Sequence, residues 1–299
     1  MATDSFGHAA MVVEVSPNKV TTIEAFGDGV DESQIDSFRF YEGKSHLYSV
    51  KGATQLQKDN AIAWIKRQIG RGYNAISPTW DLHYDDNPIN CSTLVFGAYY
   101  KAGINLTGNN ISILEWVAPA NIARSNKLER KPVYFKAYEF ESEFSGKVLD
   151  VPNSSTSDGT QLIQYQRNGQ TNQRFIQIPA ASYSRYSGRH EVRFVMPYVR
   201  TNWLGQRTTL MLDIHQPGGN AGGNNGNKLQ IIEAKDSANY NTFWYDTSTR
   251  ELKTKVSNWA SSIHLATSDS KENGIGVHQW ELHNTNRSRW YRYHTYNYS

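Results

Sequence analysis

Cys91 is the only cysteine among the 299 residues, and its neighbours are those of a residue at the start of a helix. Asn90 is a helix-capping residue type, and Leu94, Val95, Ala98 and Ala102 follow at helical spacing before Gly103. A thiol in the first helical turn sees unbonded backbone N–H groups and the positive end of the helix dipole. Both favour thiolate over thiol. The chemistry such a group offers is nucleophilic attack. The competing reading is a small buried hydrophobe, a common fate of free cysteine. A nucleophile needs a base, and the base an orienting group. His8, before the apolar run Met11–Val13, and Glu24, in the run Val20–Phe26, are the candidates. If the two runs pair as a hairpin, His8 and Glu24 become cross-strand neighbours. Glu24 then accepts from one imidazole nitrogen while the other faces Cys91. Each also has an ordinary reading, as a satisfied structural histidine and a surface carboxylate.

The elements that must position these residues are legible. Residues 10–15 and 20–26 are β-rich runs separated by Ser16-Pro17-Asn18, a hairpin signal. Residues 56–70 predict a helix with Ile62, Ile65 and Ile69 on one face and Gly70 as its stop. Beyond Arg130-Lys131-Pro132 helical periodicity ends, and short strands, Gly/Asn/Ser clusters and aromatics take over. Length and this change together predict two domains, 1–134 and 135–299. A net charge of +3 with no Lys/Arg run predicts no nucleic-acid partner. No run of 18 apolar residues is present, so no membrane span is expected. The N-terminus shows no charged segment followed by a long apolar one, so no signal peptide is legible.

The second half repeats. Lys147–Val151 followed by Asn172-Gln173-Arg174-Phe175 is echoed by Leu210–Ile214 followed by Asn241-Thr242-Phe243-Trp244. A more degenerate copy runs from Ser262 to Trp290. Each copy is a strand, a Gly/Asn loop and an aromatic anchor, a unit that must pack on its siblings. The uneven spacing makes residues 180–206 look like an insertion between the first two copies. Residues 217–226 have the composition of a flexible loop.

Residues 7–12, 23–25, 63–74 and 90–104, in that order, resemble the permuted NlpC/P60 cysteine hydrolases. In that papain-like group the histidine strand precedes the cysteine helix, and the third polar residue stands on the next strand. The resemblance covers roughly residues 5–130. It implies an α+β papain-like domain with Cys91 as nucleophile, His8 as base, Glu24 as orienter and Tyr73 in the substrate cleft. The second half resembles a ricin-B-type β-trefoil, with Gln173-Arg174-Phe175 where that family has Gln-x-Trp. That resemblance implies an all-β domain with sugar sites ranked first, second, third along the copies. Asp150 and Asn168 hydrogen-bond a sugar in the first, Tyr165 or Tyr183 stacks on it, and Asp213 serves the second, whose Asn position falls near Lys235 or Asp236. His264 stands where the third needs Asp.

Together these imply a cysteine amidase or peptidase addressed to glycans or glycoconjugates, acting on peptide or peptidoglycan-like substrates, toxin- or defence-like, and secreted or delivered to target cells. The alternatives are a lipid acyl hydrolase or acyltransferase on the same fold, and a lectin whose first domain is not catalytic. No cofactor is implied. His46, Asp81, His83, Asp85 and Asp86 are metal-ligand types, but the run His83–Asp86 lacks the paired spacing of a zinc or calcium motif and reads as a polar loop near the cleft mouth, so no metal is expected.

Overall fold

The computed structural model describes residues 7–16, 19–34, 40, 45–76, 82, 87–107, 116–180, 191–216, 224–234, 239–265, 270–282 and 285–298. The chain divides into two compact units, Met1–Val133 and Tyr134–Ser299.

The first unit opens with an antiparallel meander: β1 (Ala10–Ser16), β2 (Lys19–Phe26) and β3 (Gly29–Gln34). Ala10 pairs with Glu24, Met11 with Ile23 and Ala25 with Val30. Met11, Ile23, Ala25 and Val30 are buried, so period-2 alternation leaves Glu24 and Phe26 on the other face of β2. Gly29 closes the β2–β3 turn at φ +120, where a Cβ would stand 2.5 Å from the Arg71 carbonyl oxygen. Val30 N–H donates to that carbonyl at 2.8 Å and Gly70 N–H to Val30 O at 2.9 Å, which ties the turn to the Gly70–Tyr73 segment. A two-stranded ladder joins β4 (Leu47–Val50) to β5 (Leu128–Lys131).

The unit also holds the helices α1 (Gln55–Lys66), α2 (Cys91–Lys101) and the short α3 (Pro119–Ala123). Thr54 and Gln57 form a reciprocal capping box at the start of α1. The buried face of α1 is Ala61, Trp64 and Ile65, not the expected Ile62, Ile65 and Ile69. The helix ends at Lys66, so Ile69 falls in the following turn and is exposed. Helix α2 is buried on every side from Cys91 to Ala98. Gly97 permits this, because a Cβ there would meet the Trp64 ring at 2.8 Å.

Among the described residues the second unit has thirteen strands, three sets of four and the small β8 (Thr160–Gln161). The sets are β6 (Phe135–Ser142), β7 (Val148–Asp150), β9 (Ile163–Tyr165) and β10 (Phe175–Pro179); β11 (Val192–Thr201), β12 (Arg207–Ile214), β13 (Leu229–Glu233) and β14 (Phe243–Asp246); and β15 (Glu251–Thr254), β16 (Ser261–Leu265), β17 (Val277–Glu281) and β18 (Trp290–Tyr298). The outer strands of each set form a ring, β18-β6-β10-β11-β14-β15, closed by the Glu251–Arg289 bridge. The inner pairs β7–β9, β12–β13 and β16–β17 are hairpins. They meet through β8–β13 and the bridges Ile163–Gly276 and Lys228–His278. Six barrel strands under three mutually paired hairpins make a β-trefoil. Its core rests on Phe175, Phe243 and Trp290, fully buried at the start of each fourth strand. Residues 191–206 are the first strand and hairpin of the second copy, which corrects their reading as an insertion; residues 181–190 lie outside the described residues.

Candidate functional sites

The β1–β2 register places Ala10 opposite Glu24, so the chain running back from Ala10 carries His8 past Glu24 toward Phe26. His8 Nε2 lies 2.5 Å from Glu24 Oε2, with side chains 21% and 26% exposed. The His8 ring meets Phe26 edge-on at a centroid distance of 5.7 Å. The ring nitrogen left over is the one available to the thiol. The imidazole lies close enough to Cys91 to act on its thiol, as do the backbone groups of Ala9 and Ser92.

Cys91 is the first residue of α2 and only 6% exposed. Asn90 Oδ1 accepts from Thr93 N–H at 2.7 Å, which fixes the helix start. Ser92 Oγ turns the other way, donating to Val117 O at 2.5 Å. Burial alone would push the Cys91 thiol up. The hydrogen bond and charge of His8, with the two backbone donors, outweigh it and hold the thiol below its ordinary value. Burial alone would likewise lower His8; its bonds to Cys91 and Glu24, and their charges, raise it to about 9. The pair therefore favours thiolate–imidazolium, the form in which a cysteine attacks.

Tyr73 pairs with Ile89, two residues before Cys91, and Asn90 Nδ2 donates to Ala75 O. Burial and the negative charge at Cys91 both raise the Tyr73 phenol. Tyr73 thus flanks the thiol while 36% exposed. Arg71, buried beneath, anchors the segment by donating to Asn87 O and Gln68 Oε1. His46 is exposed against Tyr48. Asp81, His83, Asp85 and Asp86 lie outside the described residues, among which no cluster of three or more His, Cys, Asp or Glu could hold a metal.

In the trefoil the inner hairpin of the first copy brings Asp150 to Asn172 and Gln173. Asp150 is 2% exposed, and its Oδ2 accepts from Asn172 Nδ2 at 2.9 Å and Gln173 Nε2 at 2.8 Å. Burial raises the carboxyl, while these two donors pull it down. Both bonds land on Oδ2, which leaves Oδ1 as the acceptor for a ligand hydroxyl. Asn172 Oδ1 is buried with no hydrogen-bond partner among the described residues. Tyr165, half-buried, pairs with Val148 and by alternation shares a face of the hairpin with Asp150.

Asn168 does not join the cluster. Its Oδ1 accepts from Gln170 N–H and its own N–H donates to Gln173 Oε1, so it shapes the turn that presents Gln173. The residue beside Asp150 is Asn172, drawn inward by the 3₁₀ turn Thr171–Gln173. Its place next to the Gln-x-Phe end was the available signal. Tyr183, Lys235 and Asp236 lie outside the described residues.

The second and third copies hold other residues at these places. Asp213, buried, accepts from Gln230 Nε2 across its hairpin at 2.9 Å. Asn241, in the place of Gln173, donates to Met211 Sδ. In the third copy His264 stands at the Asp position beside Ser262, and Ser288, in the Gln place, donates to Glu251. In the first copy the Asp150 carboxylate is clamped by two side-chain amides.

The fold and the repeat ends define the class of the second unit, a β-trefoil. Residues 128–190 match the family described as ricin-type beta-trefoil lectin domain-like. That match does not extend to His8, Glu24 or Cys91. Among solved structures, the designed three-fold symmetric protein ThreeFoil is 22% identical, covering 53% of this chain and 96% of its own, with a TM-score of 0.38. The C-half of the earthworm R-type lectin in complex with GalNAc is 14% identical, covering 54% and 99%, with a TM-score of 0.35. The Macrolepiota procera ricin B-like lectin in complex with lactose is 15% identical, covering 55% and 99%, with a TM-score of 0.35. The comparison with curated proteins found no match.

Proposed function

We propose that this protein is a cysteine amidase or peptidase whose β-trefoil delivers it to glycans. The first unit, residues 1–134 in this reading, is a papain-like hydrolase of the permuted NlpC/P60 type; residues 135–299 are the carbohydrate-binding unit. The observation that carries the enzymatic half is the chain Glu24–His8–Cys91, with the thiol at the first turn of a buried helix and lowered by its imidazole partner. Cys91 Sγ attacks the substrate carbonyl carbon, forming an S–C bond and an oxyanion. His8 gives its proton to the departing amine nitrogen as the C–N bond breaks. Water, deprotonated by the now neutral His8, attacks the thioester and releases Cys91. Glu24 keeps the imidazole oriented and stabilises its charged form.

The glycan half rests on the Asp150 cluster, since a fixed carboxylate beside an amide suits adjacent sugar hydroxyls. GalNAc and lactose, the sugars in the two lectin complexes, are the probes to begin with. The test compares the full chain with Cys91→Ala on peptide and peptidoglycan-stem substrates, with phospholipid in parallel and binding on a glycan array. Amide cleavage lost in Cys91→Ala, with array binding intact, is the expected result. Fatty-acid release without amide cleavage transfers the site to lipid acyl chemistry. Absence of any turnover, with glycan binding unaffected by Cys91→Ala, leaves a lectin with a non-catalytic first unit.

A further inference from the structure

Phe26 is 69% exposed although it stands beside the His8–Glu24 pair. It is the last residue of β2, two positions after Glu24 and on the same face, and its ring touches the His8 ring edge-on. The turn that follows is held by Gly29 against the Arg71 carbonyl, so Phe26 sits on a fixed support. On the side of Cys91 nearer Asn90, the segment Tyr73–Ile76 offers Tyr73, partly exposed, and Ile76, 76% exposed. An aromatic ring left mostly in water at the rim of a reactive pair contributes little to folding, and its free face is available to a substrate.

We infer that Phe26 is a specificity-determining residue forming one wall of an open apolar subsite, and that the substrate carries an apolar side chain next to the carbonyl that Cys91 attacks. This rests on the nucleophile reading above. The walls are exposed rings at a rim, a setting suited to a single side chain rather than a long alkyl chain threaded into the fold.

The chain's single cysteine allows a test without knowledge of the natural substrate. Second-order rates of Cys91 alkylation by iodoacetamide, N-benzyl iodoacetamide and N-octyl iodoacetamide are measured on the full chain by intact mass, each normalised to free cysteine. In each reaction the sulfur forms a bond to the methylene carbon and iodide leaves. The benzyl reagent is expected to exceed iodoacetamide by about tenfold, the scale of one apolar pocket contact. Phe26→Ser brings that ratio close to one, and Phe26→Leu, which keeps an apolar wall, retains most of it; thermal unfolding checks that both variants are folded. Prompt iodoacetamide labelling with no benzyl preference, or a preference that survives Phe26→Ser, overturns the subsite while the nucleophile stands. Octyl preferred over benzyl overturns the side-chain assignment in favour of an acyl chain. Failure of every reagent near neutral pH overturns the nucleophile reading, and the subsite with it.

Discussion

Glu24→Gln keeps the shape of the side chain and removes its charge, which isolates what the carboxylate does for Cys91. The carboxylate and imidazole are in direct contact at 2.5 Å and about a quarter exposed. At an effective dielectric of about 20, unit charges roughly 4 Å apart attract by about 4 kcal/mol, and exposure reduces that. If only about 1.4 kcal/mol survives, His8 binds its proton about tenfold more weakly in the variant. The imidazolium, which in the wild type persists up to about pH 9, is then lost about one pH unit earlier. Below about pH 8 His8 is protonated in both proteins, so the thiolate still forms beside an imidazolium and the acid limb of the Cys91 profile keeps its place. Above that pH the variant loses the imidazolium first, and with it the proton for a leaving amine. The assay is the His8 titration followed by NMR in both proteins, beside iodoacetamide labelling read by intact mass from pH 5 to 10, where every mass increment reports Cys91. The expected result is an imidazolium lost about one pH unit earlier in the variant, with both labelling midpoints below that of free cysteine. An unchanged His8 titration, or a wild-type labelling midpoint at the free-thiol value, would refute the coupling of Glu24 to His8 and of His8 to Cys91.

Two further predictions concern support and binding. Gly97→Ala gains about 1 kcal/mol of helix propensity but drives a methyl into Trp64 and Leu82, an overpacking cost of about 1–3 kcal/mol. The net is a lower urea midpoint, by about 1–2 kcal/mol at most, with unchanged slope; a stabilised variant would mean the α1–α2 contact is looser than described. Asp150→Ala removes the acceptor shared by Asn172 and Gln173, so glycan-array binding is lost and the trefoil is destabilised by about 1–3 kcal/mol for each amide N–H that loses its acceptor, while the amides keep their bonds to Val151 O and Gln166 O. Asp213→Ala weakens array binding by less, and the opposite ranking would place the principal sugar site in the second copy.

Much of the site was legible in the sequence because its order follows local rules. Asn90 caps α2, and the alternation in Val20–Phe26 puts Glu24 on the face away from Ile23 and Ala25. What the sequence hid depends on tertiary accommodation. The α1 face was misread because Trp64 is buried only where Gly97 makes room for its ring, while the isoleucine spacing ran on past the helix end. The strand β11 was misread as an insertion because the uneven spacing of the copies was taken as extra chain; it also carries Pro197, atypical of a strand interior. The structure accommodates the proline within a register irregularity between Val195 and Val199. Asn168 and Asn172 stand four residues apart in one polar stretch, and only the 3₁₀ turn decides which faces Asp150. Phe26 follows from the same alternation that predicts Glu24, but a lone exposed aromatic carries no signal without its neighbour.

The two units divide fold-determining from chemistry-determining residues in different ways. In the first, the polar geometry is a by-product of core burial. Met11, Ile23, Ala25 and Val30 must face inward, and that parity alone sends Glu24 and Phe26 to the side where His8 lies. A slip of one residue would bury Glu24 and expose Ile23, so the register is held by apolar surface rather than by the His8–Glu24 contact. The bulge in β1, between Val12 and Glu14, lies beyond Ala10 from His8 and leaves the pairing beside the site regular. In the trefoil the core sets no such parity on chemistry. Phe175, Phe243 and Trp290 hold three equivalent positions, while the residue two before each is Gln173, Asn241 or Ser288, with three different partners. The barrel therefore tolerates different polar residues at these places, and the clamp on Asp150 is set by residues the core does not dictate. Mutations that abolish the chemistry without unfolding should accordingly be found at His8 and Glu24 in the first unit, where the core holds the register without them. In the first trefoil copy, Asp150 combines the two duties, and its loss should cost both binding and stability.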